Sequence, residues 1–205
     1  MQVVYDESFN NLVKACILQE VKGFTPVTKP DLKSKDFTRV SDYEMNELLI
    51  EWDWVHGTPH NISNLERAVQ LAIRHKFADN NLIFSVIIQA LRFGVEHVLT
   101  RSTPEAKRFC NLVCAVREEL RNAKFNMKFS HKGKTLIGKY IFSHQIADLL
   151  LQFYQKRFPE KEVVIINNFS SFSLNGDSLI KKPVFSNPIS SQVRNQPPVT
   201  LSSFF

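Results

Sequence analysis

One change of hydrophobic period constrains this chain more than any other feature. Up to Lys124 the apolar residues of the middle third recur at helical spacing, and beyond it they alternate. Helical spacing demands a helix face packed on other helices, and alternation demands a sheet with one buried face. A helical run followed by a strand run, instead of strands and helices interleaved, predicts an α+β fold. The expected architecture is a central helical cluster with a small, mostly antiparallel sheet from the N-terminal strand and the C-terminal third, plus a disordered C-terminal tail.

Met1 to Tyr5 reads as a short strand, after which Asp6 or Ser8 caps a helix with Phe9, Leu12, Val13, Cys16 and Ile17 inward. Residues 23–40, with Pro26 and Pro30, read as a loop. Ser41-Asp42-Tyr43-Glu44 and Ser63-Asn64-Leu65-Glu66 both fit the capping box that opens a helix. Leu65, Val69, Ala72 and Ile73 form one inward stripe, and the run from Leu82 to Val98 is apolar around enough of its circumference for a central buried helix. Thr103-Pro104 starts another, with Phe109, Val113, Val116 and Leu120 inward. Phe125 to Phe129 and Thr135 to Phe142 then read as a hairpin about Lys132-Gly133-Lys134. Ser143 is placed to cap a helix carrying Ile146, Leu149, Leu150, Phe153 and Tyr154. Glu162 to Ile166 reads as a buried strand, and Asn175-Gly176 as a type I′ turn.

At 205 residues and 43% apolar content, one core is expected, with residues 1–182 as a single globular α+β domain. From Pro183 the composition turns to Pro, Ser, Asn and Gln, so 183–205 reads as a flexible tail. Polar or charged residues interrupt every long apolar stretch and Met1–Tyr5 lacks signal-peptide character, so an intracellular protein with no membrane partner is expected. Cys16, Cys110 and Cys114 make an odd count without disulfide-framework or zinc-finger spacing, and read as buried, apolar-like residues. Neither a metal nor a cofactor is expected.

The formal charge of +6 suits a polyanionic partner, and its distribution matters more than its sum. Arg101 to Tyr140 holds ten Lys or Arg against three Glu. Arg117, Arg121, Lys124, Lys128, Lys132 and Lys134 are candidate DNA or phosphate contacts. His144 at a helix start and Arg157 at its end are candidates to join Arg121 around a phosphate.

The end of the chain, Pro198-Val199-Thr200-Leu201-Ser202-Ser203-Phe204-Phe205, is unusually apolar for a tail. In one tight helical turn, Leu201, Phe204 and Phe205 project on one side as a three-pronged plug. This segment resembles the peptide by which replication and repair proteins bind the ring-shaped sliding clamp of eukaryotes and archaea, the proliferating cell nuclear antigen. Leu201 takes the aliphatic position and Phe204 and Phe205 the paired aromatics, while Pro198 stands where that pattern has glutamine. The resemblance implies clamp binding through these four positions, in a nucleus if the source is eukaryotic and a cytoplasm if archaeal.

Three stretches of the body, residues 5–12, 116–129 and 142–166, are together similar to a family labelled as probable DNA-metabolism proteins, found fused to uracil-DNA-glycosylase-like domains or beside radical-SAM proteins. The shared stretches are Tyr5-Asp6-Glu7-Ser8-Phe9-Asn10-Asn11-Leu12, the helix and basic strand from Val116 to Phe129, and Phe142-Ser143-His144-Gln145-Ile146 through Lys156-Arg157-Phe158 to the strand Glu162–Ile166. Glycine is the family's usual residue at Glu7, and histidine at Arg121. The proline of its proline-x-histidine opening is missing before His144.

Together these features imply a DNA replication or repair accessory protein that binds the clamp through its tail and DNA through a basic face. A clamp-recruited repair enzyme, nuclease or base-processing, is the second reading, and would draw on Glu119, Asp148 and His144 or on the cluster Glu51-Trp52-Asp53-Trp54-Val55-His56-Gly57-Thr58-Pro59-His60. A viral or cellular regulator competing for the clamp groove is the third. No glycine-rich nucleotide loop and no nucleophile–base–acid set is visible, so catalytic residues and oligomeric state stay open.

Overall fold

The computed structural model describes residues 1–6, 8–29, 36–51, 59–176 and 178–184. They have the α+β character expected, in two compact units, 1–115 and 116–205.

The first unit begins with strand β1 (Gln2–Val4) and helix α1 (Phe9–Lys22). All five expected inward residues of α1 are buried, and the helix stops at Gly23, whose positive φ of 66° supplies the left-handed C-terminal turn. The stretch 23–40, expected to be loop, holds β2 (Thr25–Val27) and β3 (Phe37–Arg39), both paired parallel to β1 in the order β2-β1-β3. The N-terminal strand therefore belongs to a parallel sheet of its own. Pro26 cannot donate to a ladder, and it lies on an edge strand, where proline is tolerated.

After a 3-10 turn (Val40–Asp42) come α2 (Met45–Glu51), α3 (Pro59–Ile73), α4 (Asn80–Phe93), α5 (Val95–Leu99) and α6 (Pro104–Asn126). Both capping boxes are displaced. Asp42 instead accepts from the Arg39 amide at 3.0 Å, and α2 starts beyond Glu44. The second box lies inside α3, where Glu66 accepts from the Gln70 side chain one turn on. The apolar run from Leu82 to Val98 is broken at Gly94 (φ 87°, ψ 155°) into α4 and α5, a backbone conformation that an L side chain resists. Asp79 caps α4 by accepting from the Asn81 and Leu82 amides at 3.0 and 3.3 Å. Thr103 accepts from the Ala106 amide at 3.1 Å, and α6 starts at Pro104 as expected. Cys16 is buried as expected, and burial pushes its thiol well above the ordinary range. Cys110 is half-buried and Cys114 exposed, so neither is the buried, apolar-like residue expected.

The second unit takes the end of α6, strands β4 (Lys128–Lys132) and β5 (Thr135–Lys139), helix α7 (Ala147–Arg157), and strands β6 (Glu162–Asn167), β7 (Ser170–Asn175) and β8 (Ser178–Pro183). The sheet order is β4-β5-β6-β7-β8, with β5 and β6 parallel and the other three pairs antiparallel. Phe125 and Asn126, expected in a strand, finish α6, and β5 ends at Lys139, three residues short of Phe142. Gly133 (φ 60°) and Gly176 (φ 58°) open turns where turns were expected, but Asn175 pairs with Ser178 in the ladder at negative φ, so the Asn175-Gly176 pair does not form the central residues of a type I′ turn. A further two-residue turn, with Asn168 at φ 51°, joins β6 to β7.

The connection from β5 to α7 is held by side chains. Asn167 accepts from the Phe142 amide at 3.3 Å and donates to the Phe142 carbonyl at 2.9 Å, imitating a ladder partner. The Glu119 carboxylate accepts from the Ser143 and His144 amides, both at 2.8 Å. Ser143 thus offers its backbone to Glu119 instead of capping α7, whose N-cap position is Ile146.

Candidate functional site

The second half of α6 carries Arg117, Leu120, Arg121, Lys124 and Phe125, which stand three, four, seven and eight residues on from the first and so share one helix face. With Phe153, Tyr154 and Arg157 from α7 they line a cleft of about 430 Å³. Four cations and four apolar side chains make up that lining, and no carboxylate belongs to it. Arg117, Arg121 and Arg157 are exposed. The ion pair of Arg121 with Glu118 spans 4.0 Å between side chains about two-thirds exposed, too weak to neutralise the site.

The floor is rigid for identifiable reasons. Tyr154 is fully buried, and its hydroxyl donates at 2.9 Å to the Lys124 carbonyl, one of the last four of α6 and so without an intrahelical partner. Burial pushes the Tyr154 hydroxyl up to about 12, against the nearby positive charge of Arg157. Phe129 meets Tyr154 edge-on with ring centres 4.7 Å apart, and Phe153 meets it edge-on at 5.0 Å. The Lys124 ammonium lies 4.4 Å from the Phe153 ring centre, in cation–π range. Phe125 has no such place in the interior and is 68% exposed at the rim. Lys124 and Arg157 occupy last helical turns, where a cation is favoured by the backbone dipoles.

Four of the eight expected DNA or phosphate contacts, Arg117, Arg121, Lys124 and Arg157, therefore meet around one cleft. Lys128 and Lys132 are exposed on β4, on the sheet face opposite Phe129, and exposed Lys134 follows the Gly133 turn. His144 does not join Arg121 and Arg157 in the cleft lining. It is buried beside Glu119, which lies about 200° around α6 from Arg117 at 3.6 residues per turn. The Glu119 carboxylate, a candidate for acid–base chemistry, is occupied by two backbone amides. What charge counting alone passes over is the aromatic half of the lining, Phe125 above all, because the alternation at Phe125–Phe129 ends the helix too early.

Pro198, Leu201, Phe204 and Phe205 lie outside the described residues, as do Trp52 to Thr58 of the tryptophan-rich cluster. His60 is exposed, with a ring nitrogen 3.1 Å from the Asn64 side-chain amide. Among the described residues no group of three or more His, Cys, Asp or Glu could hold a metal ion, and no helix is long and apolar enough to cross a membrane. A larger cleft of about 910 Å³ lies in the first unit, bordered by Asn80, Asn81, Gln89 and the Glu20–Arg92 ion pair. Its volume is greater, but its charged lining is Glu20 paired with Arg92 plus Lys29, one unbalanced cation against the four of the α6–α7 cleft.

Helices α6 and α7, lining a basic, aromatic cleft, and the five-stranded sheet β4-β5-β6-β7-β8 belong to an α+β domain. The family described as a domain of unknown function, DUF4130, matches residues 78–195, and the chain belongs to it. That span includes every residue lining the basic cleft. Among curated proteins, nothing matches the chain.

Proposed function

We propose that this protein is a DNA replication or repair accessory factor that holds DNA in the cleft between α6 and α7 and is tethered to a sliding clamp through Leu201, Phe204 and Phe205. The observation that carries the DNA half is the joining of Arg117, Arg121, Lys124 and Arg157 around apolar rings with no carboxylate in the lining. Guanidinium groups fork onto phosphate oxygens, and aromatic faces take bases, so one cleft offers both halves of a nucleotide a partner. Lys128, Lys132 and Lys134 add exposed positive charge for the flanking backbone.

The tether half is supported by the Leu-x-x-Phe-Phe spacing on a Pro- and Ser-rich segment. Burying one Leu and two Phe contributes roughly 1.5–3 kcal/mol each before ordering losses, compatible with binding in the micromolar range. Two such contacts in one chain reinforce each other through effective concentration.

A pull-down of the clamp with wild-type protein and with Phe204→Ala/Phe205→Ala, each with and without DNA, tests both halves. The tail variant loses the clamp and keeps DNA. DNA binding weakens steeply with salt, with a log–log slope near −3 for about four phosphate contacts. Clamp binding that survives the tail substitution, or DNA binding that ignores salt, contradicts the corresponding half.

A further inference from the structure

We infer that the α6–α7 cleft is built for an unpaired strand, one base stacking on Phe125 while Arg117, Arg121 and Arg157 hold the neighbouring phosphates; this rests on the DNA-binding reading above. A duplex presents phosphates outward and keeps its base faces stacked inside. Against a duplex the four cations would be used and the rings left against water. In an unpaired strand each base carries an open apolar face, which is what Phe125, 68% exposed in the cleft lining, complements.

Three details favour this occupant. The cleft, about 430 Å³, matches one or two nucleotides and is too small to seat a double helix. Phe125 keeps 68% of its surface exposed at the rim, although it stands in the last turn of a helix whose interior positions are filled. Phe153 already has the Lys124 ammonium over its ring and Tyr154 at its edge, so Phe125 is the ring left for a base. Three of the four cations are arginines, which both fork onto phosphate and stack on bases. With no hydrogen-bonding side chain other than cations and the engaged Tyr154 hydroxyl in the lining, the cleft has little means of telling bases apart, and sequence-tolerant binding follows.

The test uses the full chain and two fluorescent probes, a 15-mer of dT and a hairpin duplex of equal charge, titrated by anisotropy at several salt concentrations. Wild type is expected to bind the single strand at least tenfold more tightly than the duplex. Phe125→Ala lowers single-strand affinity on the order of tenfold, with unchanged salt slope and little effect on the duplex. Phe125→Trp restores it. Arg121→Gln lowers affinity and makes the slope shallower by about 0.7, the signature of one lost phosphate contact. Because a variant can fail for other reasons, dT containing 5-iodouracil is also photo-crosslinked to wild type, with the adduct expected on Phe125.

Equal affinity for both probes with no loss in Phe125→Ala, or adducts confined to other residues, overturns the unpaired-strand inference while leaving DNA binding in place. Full displacement of dT by polyglutamate of equal charge overturns it too, since the cleft would then answer to charge alone. Absence of binding to either probe at 50 mM salt removes the DNA-binding reading itself.

Discussion

Glu119 holds the start of α7 by a device that can be broken one atom pair at a time. Its two carboxylate oxygens each accept one backbone amide at 2.8 Å, from Ser143 and from His144. Hydrogen bonds to a charged acceptor are worth about 1.5–3 kcal/mol each, and a buried amide left unpaired adds its own desolvation penalty. Ser143 is exposed and its amide can return to water, whereas the residue beside it is buried. Glu119→Ala should therefore destabilise the fold by about 2–4 kcal/mol, most of it from the His144 amide. Glu119→Gln keeps one acceptor and turns an N–H toward the other amide, for a loss of roughly 1–2 kcal/mol. In urea unfolding followed by circular dichroism, the alanine variant's midpoint falls by about 1 M for a slope near 2–3 kcal/mol per M. Glu118→Ala is the control, since that neighbouring carboxylate is 65% exposed and only 4.0 Å from Arg121. Its effect should stay under about 0.5 kcal/mol. A Glu119→Ala midpoint indistinguishable from that control refutes the account of how residues 142–146 are fixed, and with it the reason α7 presents Phe153 and Arg157 where it does.

Two further substitutions probe the layer beneath the cleft. Tyr154→Phe strands the Lys124 carbonyl and should cost about 1–2 kcal/mol in the same assay. The folded-state value near 12 for this hydroxyl lies above its ordinary 10, so its contribution is complete below pH 10 and is lost as pH rises toward 12. Stability of wild type should decline over that window more steeply than that of Tyr154→Phe, as measured by urea midpoints from pH 9 to 12. Gly138→Ala places a methyl group against the Met127 sulfur and 3.0 Å from the Phe129 ring, which is itself held edge-on by Tyr154. A loss of about 1–2 kcal/mol is expected, read as a lower thermal midpoint.

Where the sequence carried a local physical signal, the fold could be read. The inward stripe of α1, the Thr103-Pro104 start of α6, the β-branched run of β6 and the turn at Gly176 before β8 all depend on residues close in sequence. Strands β2 and β3 did not, because three residues each beside a proline and several lysines carry no alternation, and β1, their common partner, is remote in the chain. The capping-box pattern failed for a different reason. A serine three residues before a glutamate also suits a helix interior, and α3 absorbs Ser63 and Glu66 in that way. In the cleft, basic residues at helical spacing pointed to Arg117, Arg121 and Lys124, and Arg157 was placed beside them. Charge gave no means of separating that set from Lys128, Lys132 and Lys134, which β4 and its turn carry on other surfaces. The position of His144 before a helix suits a phosphate contact in sequence, yet its side chain is buried away from the cleft lining. The helix period at Glu119 shows which side of α6 it occupies, but only once the contact between the two is known.

Backbone amide and arginine side-chain NMR shifts of the full chain, followed as dT 15-mer is added, test the central claim most directly. Shifts should concentrate at Arg117, Arg121, Lys124, Phe125, Phe153 and Arg157, with Asn80, Asn81 and Arg92 of the larger first-unit cleft unchanged. Saturable shifts centred on that first-unit cleft, with the α6–α7 residues unmoved, would contradict it.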